Sequence, residues 1–178
     1  MHAVPFPLGP CVVLLVIVAA VLDMRTRRIP NWLVATAFAA ALPVQWMLHG
    51  AADGLGIWFA GWLVGGLIFL PGYVVRAVGA GDVKLMAAVG AWFGMTGAIE
   101  TAMIACAIGG VWALAAMLFK RRMKDGLSNT CSMLLSVTGG WRQVAQQGEA
   151  MRAVSVGRLP FGVAIALGAI STMVLGTQ

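Results

Sequence analysis

Long apolar stretches separated by short polar connections dominate the chain. A helix that crosses the hydrocarbon core of a bilayer needs about 20 mainly apolar residues. Six stretches approach that length, from about Pro7 to Leu22, Trp32 to Leu48, Leu55 to Val75, Val83 to Met95, Ile99 to Phe119 and Leu159 to Leu175. The first and fourth are short. This pattern predicts an all-α integral membrane protein with six transmembrane helices, organised as one polytopic domain over residues 1–178.

The polar connections test that count. Arg25, Arg27 and Arg28 lie between the first and second stretches, and Arg76 and Lys84 between the third and fourth. Lys120, Arg121, Arg122, Lys124, Arg142, Arg152 and Arg158 lie between the fifth and sixth, which completes the 12 Lys and Arg of the chain. With six crossings every one of them falls on the same side, and excess positive charge marks that side as cytoplasmic. Both termini are then expected outside. Five or seven crossings would break the sorting. The outer loops, one around His49 and Asp53 and one near Thr96-Gly97, are too small to hold a partner protein.

Composition agrees with a lipid solvent. Hydrophobic residues make up 61% of the 178 and charged residues 10%, with a net charge of +6. Mean hydropathy is +0.92. Soluble domains carry roughly 25% charged residues. The excess of base is explained by retained cytoplasmic charge, and no basic patch interleaved with aromatics points to nucleic acid. Cys11, Cys106 and Cys131 form no C-x-x-C pair, and His2 and His49 are far apart, so neither a disulfide framework nor a metal site is expected. The first apolar stretch lacks a basic region ahead of it. It reads as a retained helix rather than a secretory signal.

Residues 120–158 form the longest polar stretch. Leu127, Cys131, Leu134, Leu135, Trp141 and Val144 recur near helical spacing, interrupted by Gly139-Gly140. One or two short helices on the cytoplasmic membrane surface are expected there, with a solvated basic loop as the plainer alternative. Gly61 with Gly65 and Gly90 with Gly94 each form a G-x-x-x-G spacing, which allows close helix packing within the chain. Packing between two copies is the second reading, so an oligomer is left open.

Four of the six acidic residues have ordinary roles. Asp53 lies in an outer loop, Glu100 opens the fifth helix, and Asp125 and Glu149 sit among cytoplasmic bases. Asp23 and Asp82 remain. They come from different hairpins yet share one membrane depth at the cytoplasmic boundary. Ionisable groups at a membrane are costly and are functional candidates. Two bland readings stand beside that one: an interfacial pair of Asp23 with Arg25, Arg27 or Arg28, and Asp82 as an N-cap. The flanks add to the functional case. Gly79-Ala80-Gly81 ahead of Asp82 leaves room for a peptide to approach. Ile29-Pro30-Asn31 sets the start of the second helix.

The run Asp23-Met-Arg-Thr-Arg-Arg-Ile-Pro30-Asn31, with Gly79-Ala-Gly81-Asp82-Val-Lys84-Leu85, resembles the type IV prepilin peptidase family. The late stretch Leu159-Pro160-Phe161-Gly162-Val163-Ala164-Ile165-Ala166 is similar to that family's last helix. The resemblance covers the membrane core from the first helix to the sixth. It implies that Asp23 and Asp82 are catalytic, that Gly79, Gly81, Lys84, Pro30 and Asn31 support them, and that no cofactor is needed. It implies cleavage of the basic leader of a prepilin or pseudopilin at the cytoplasmic face of a bacterial inner membrane. Lys84 has an equal plain reading as a lysine reaching for the interface. Longer family members carry an N-terminal cytoplasmic insertion with paired C-x-x-C motifs, linked to N-methylation of the new terminus. This chain has neither, and its size looks like the short peptidases of tight-adherence (Tad/Cpa-type) pilus systems, so no methyltransferase activity is expected.

The implied chemistry is direct attack of water on a peptide bond, one carboxyl as general base and the other as general acid. Two nearby carboxyls are expected to share a proton, and the titration would belong to the pair. Two other readings compete. An ion- or proton-coupled transporter would use the same aspartates, but these lie at one face, and no inverted repeat is evident. A non-catalytic subunit of a pilus or secretion assembly would also fit the small outer loops and basic cytoplasmic segment.

Overall fold

A computed structural model describes residues 8–26, 29–74, 78–119 and 161–176. These residues form α1 (Leu8–Thr26), α2 (Asn31–His49), α3 (Ala51–Val74), α4 (Ala80–Phe119) and α5 (Phe161–Gly176). Every regular element among them is helical. The polar segment 120–158, together with Arg27, Arg28 and Arg76, lies outside the described residues.

Four helices are long and apolar enough to cross a membrane: Gly9–Thr26, Asn31–His49, Ala51–Val74 and Ala80–Trp112. The fifth, Phe161–Leu175, is shorter. The expected fourth and fifth helices both lie within α4, and the break between them falls at Gly94, just ahead of the expected turn at Thr96-Gly97. A straight helix of 40 residues would run about 60 Å, twice the hydrocarbon thickness. Gly94 breaks it, with φ 72° and ψ −172°. A residue with a side chain rarely adopts that φ. A Cβ placed on Gly90 would lie 3.3 Å from the Ala98 side chain. In an unbroken helix those residues would stand about 12 Å apart. The chain thus folds back at Gly94 into two arms, residues 80–93 and 95–119.

Contacts along the bundle give the direction of each rod. Gly61 faces Gly90 while Gly65 faces Met86 and Ala87, so α3 and the first arm run antiparallel. Asn31 meets Lys84, and further along Gln45 meets Ala91 and Trp92, so α2 runs with the first arm. Phe161 covers Gly109, and Thr172 bonds Thr101, so α5 runs against the second arm. The rods alternate in direction. Arg25 and Lys84, the two Lys or Arg residues among the described ones, share one end. The turn around His49 is tighter than expected. Gly50 alone joins α2 to α3, at φ 84°, and Asp53 lies in the first helical turn of α3 rather than in a loop.

The first arm is the centre of the bundle. Leu85, Met86, Ala88, Val89 and Ala91 are fully buried, and Trp92 nearly so. A helix that is apolar on every side belongs in an interior. The outward faces are also apolar: Leu14, Ile17, Val21 and Met24 of α1 and Leu55, Phe59, Leu63 and Leu67 of α3 are exposed. Such a surface suits hydrocarbon, not water. Several polar groups inside the bundle donate to main-chain carbonyls of neighbouring rods, although Gln45 Oε1 is buried without a hydrogen-bond partner among the described residues. Gln45 Nε2 donates to the Ala91 and Trp92 carbonyls at 3.2 and 2.7 Å, whose own helical donors would lie beyond the break. Trp92 Nε1 donates to Ala37 O at 3.0 Å, and Trp58 Nε1 to Phe38 O at 2.9 Å.

Glycine makes the α3 contact with the first arm. A Cβ on Gly61 would collide with the Gly90 carbonyl, and one on Gly65 would lie 2.5 Å from the Met86 carbonyl oxygen. Both G-x-x-x-G spacings therefore serve packing within the chain. Gly61→Ala should destabilise the protein by about 1–3 kcal/mol, read as a lower thermal midpoint in detergent. Gly56→Ala, where the added carbon meets nothing within 4 Å, should not lower it.

Candidate active site

Asp23 sits in the last turn of α1. The helix continues to Thr26, so Asp23 lies inside it rather than just past its end. Thr26 Oγ1 donates to Leu22 O at 2.8 Å, which occupies one of the carbonyls left open at the helix terminus. Asp23 is 9% exposed. Its Oδ2 accepts the backbone N–H of Gly162 at 3.1 Å, from the first turn of α5. A buried carboxylate needs such a donor.

Asp82 opens the first arm of α4. The Gly79 carbonyl accepts the N–H groups of Asp82 and Val83 at 3.1 and 3.3 Å, which makes Gly79 the N-cap. Asp82 is then the third helical residue, not the cap. Its Oδ2 reaches back to accept the Gly79 N–H at 3.2 Å. This is one half of a capping box, with the acid at the third position serving the cap's own donor. Gly79 has no side chain to crowd that bond: a Cβ there would lie 3.1 Å from Oδ2.

The α1–α2 connection crosses over the start of this arm. A Cβ on Gly81 would lie 3.3 Å from the Ile29 Cβ, so the missing side chain lets the connection lie close. Pro30 is the N-cap of α2, at φ −68° and ψ 138°, and accepts the Leu33 N–H at 3.2 Å. Asn31 follows as the first residue of α2. Its Oδ1 accepts a hydrogen bond from Lys84 Nζ at 3.0 Å. Lys84 thus ties the first turns of α4 and α2 together rather than simply reaching for an interface.

All seven predicted site residues therefore gather at one end of the bundle, the end that holds Arg25. The two carboxylates come from separate helices, and Asp82 lies within electrostatic reach of Asp23. Among the described residues no three His, Cys, Asp or Glu side chains form a metal-ligand group. Chemically, two acids at one boundary, one buried and one half-buried, can exchange protons with a bound peptide and a water. Two contributors were not legible as such in the sequence. Ile29 acts by lying against Gly81. Gly162 acts through its main chain, and its place in the Leu159–Ala166 stretch carried no sign that it would touch Asp23.

Residues 11–114 match the model of the type IV leader peptidase family. The chain belongs to that family. Its activity class is accordingly that of a peptidase. The matched stretch holds Asp23, Asp82 and all of the supporting residues, and it ends before α5. No curated protein and no solved structure matches the chain. Leader peptidase membership agrees with the resemblance carried by the two aspartate motifs.

The Asn31–Lys84 bond is exposed, so its energy is expected to be small. A double-mutant cycle of Asn31→Ala and Lys84→Ala, followed by unfolding in detergent, should give a coupling of about 0.5–1 kcal/mol. A coupling of zero would mean that this bond does not hold the two helix starts together.

Proposed function

We propose that this leader peptidase is an aspartyl endopeptidase of the bacterial inner membrane. It removes the short basic leader from a type IV prepilin-like protein at the cytoplasmic face. The chain works as a single membrane domain with six crossings and both termini outside, the two arms of α4 making two of those crossings. The basic end of the bundle is cytoplasmic, in keeping with the charge sorting. The short Tad/Cpa-type pilus peptidases are the subgroup that its size suits best.

The observation that supports this reading is the shared end of the bundle at which Asp23 and Asp82 lie. They are brought from different helices to one end, within electrostatic reach of each other. In the proposed reaction one carboxylate takes a proton from water as the oxygen attacks the scissile carbonyl carbon. The other, protonated, gives its proton to the carbonyl oxygen, and a gem-diol forms. The diol then collapses. The C–N bond breaks as the nitrogen takes a proton from the acid now holding one, a diol hydroxyl returns its proton to the other carboxylate, and a carboxylic acid and an amine leave. No covalent enzyme intermediate and no cofactor take part. The substrate's apolar segment lies among the helices while its leader stays in the cytoplasm, so the bond ahead of that segment falls at the depth of the pair.

Asp23→Asn and Asp82→Asn keep shape and remove the acid. Each should lower prepilin cleavage by about a hundredfold or more, in the range of lost general acid–base catalysis, while the protein still inserts in membranes. Full cleavage by either variant would reject the pair, and an ion flux through proteoliposomes without cleavage would favour the transporter. In the same assay, supplied with a methyl donor, mass spectrometry of the mature product should find an unmethylated N-terminus. A methylated product would overturn the assignment of peptidase activity alone.

A further inference from the structure

The two carboxylates are carried by helices that scarcely touch. α1 packs mainly on α5 and only lightly on α2 and α4. The position of Asp23 relative to Asp82 is therefore relayed through α5. That helix is itself fixed against the second arm of α4. Phe161 covers Gly109 and meets Phe69 edge-on, with ring centroids 5.7 Å apart. Gly168 lies against Thr101 and Ala105. Thr172 donates to Gly168 O and shares a hydrogen bond with Thr101.

At its start, α5 meets α1 through the carboxylate. The Gly162 N–H is one of the donors that a helix start leaves without an internal partner, and Asp23 Oδ2 takes it at 3.1 Å. The space that a side chain at 162 would fill is occupied. A Cβ there would lie 2.8 Å from Asp23 Oδ2 and 3.2 Å from both Cβ and Cγ of the same residue. The carboxylate is thus held from one side by a donor and occupies on that side the space that a missing side chain leaves.

We infer that Gly162 is a positioning residue for catalysis: its N–H and its lack of a side chain set the place of the Asp23 carboxylate against Asp82, with α5 as the gauge between the two catalytic helices. The inference rests on the dyad proposed above. It concerns a residue outside the stretch that matches the family. A purely structural role, Asp23 serving only as a cap for α5, would show in stability and not in turnover.

The test uses the full chain, purified in detergent, with the prepilin-like protein that the wild-type enzyme cleaves fastest from a panel. Two variants probe position 162. Gly162→Ala adds the carbon that meets Asp23. Replacement of Gly162 by glycolic acid turns the amide N–H into an ester oxygen and adds no bulk. Both should lower kcat by roughly ten- to a hundredfold, the size of effect expected from a slightly misplaced reacting group. KM should stay within about twofold of wild type. Gly54→Ala is the control. Its added carbon would lie 2.6 Å from Gln45 O, at the α2–α3 contact away from α1 and α5, so it should lower the thermal midpoint while kcat per folded enzyme stays at the wild-type value. Wild-type kcat in the ester variant would overturn the inference, even if Gly162→Ala fails to fold. So would a kcat loss in both position-162 variants that only follows the folded fraction. Failure of the dyad itself would look different: Asp23→Asn would then cleave at the wild-type rate whatever happens at Gly162.

Discussion

Apolar helices gain little by hiding apolar surface when the surroundings are apolar too, so this bundle is held by close backbone approach. Gly61 against Gly90, Gly65 against Met86 and Gly168 against Thr101 are the places where that approach is tightest. Dispersion and small residues supply the attraction that water would supply elsewhere. The first arm of α4 can sit at the centre because its neighbours give up their side chains to reach it. The rest follows from that placement. Asp82 rides on the central rod, and the connection leading from Asp23 to α2 is drawn across the start of that rod at Gly81.

The same economy governs the polar groups. A bilayer offers no water to satisfy a stray carbonyl, so a break in a helix must be repaired from nearby. Gln45 performs that repair at the Gly94 break, from α2 to the first arm. At the opposite end of the arm, Asp82 serves the cap of its own helix and Asp23 accepts from the start of another. Each acid thus has one oxygen committed to a main-chain donor. Both carboxylates thus take part of their orientation from the main chain.

Much of this was legible in the sequence. The apolar stretches located the helices, and the family followed from the residues around Asp23 and Asp82. What was misread has physical causes. Hydropathy dips at Thr96-Gly97 and suggested a loop there, but the turn is made by one backbone conformation at Gly94, which hydropathy cannot register. The plainer reading of Asp82 as a cap fails by three residues, since the cap is Gly79 and Asp82 serves that cap's N–H from the first turn. Lys84 and Asn31 were read as members of a motif, while their hydrogen bond joins positions far apart in sequence. The Gly162 contact was out of reach for the same reason. It depends on how α5 docks, and nothing local to position 162 encodes that.

The support of Asp23 by Gly162 changes what counts as a vulnerable position. An acid held by a side chain can lose its partner to one substitution and regain it from another neighbour. An acid held by a main-chain N–H keeps that donor through every substitution except proline. What substitution can take away is the empty volume beside it. The tolerance of this site to drift is therefore set by bulk rather than by chemistry, and its weak points are positions where the sequence shows nothing but hydrogen.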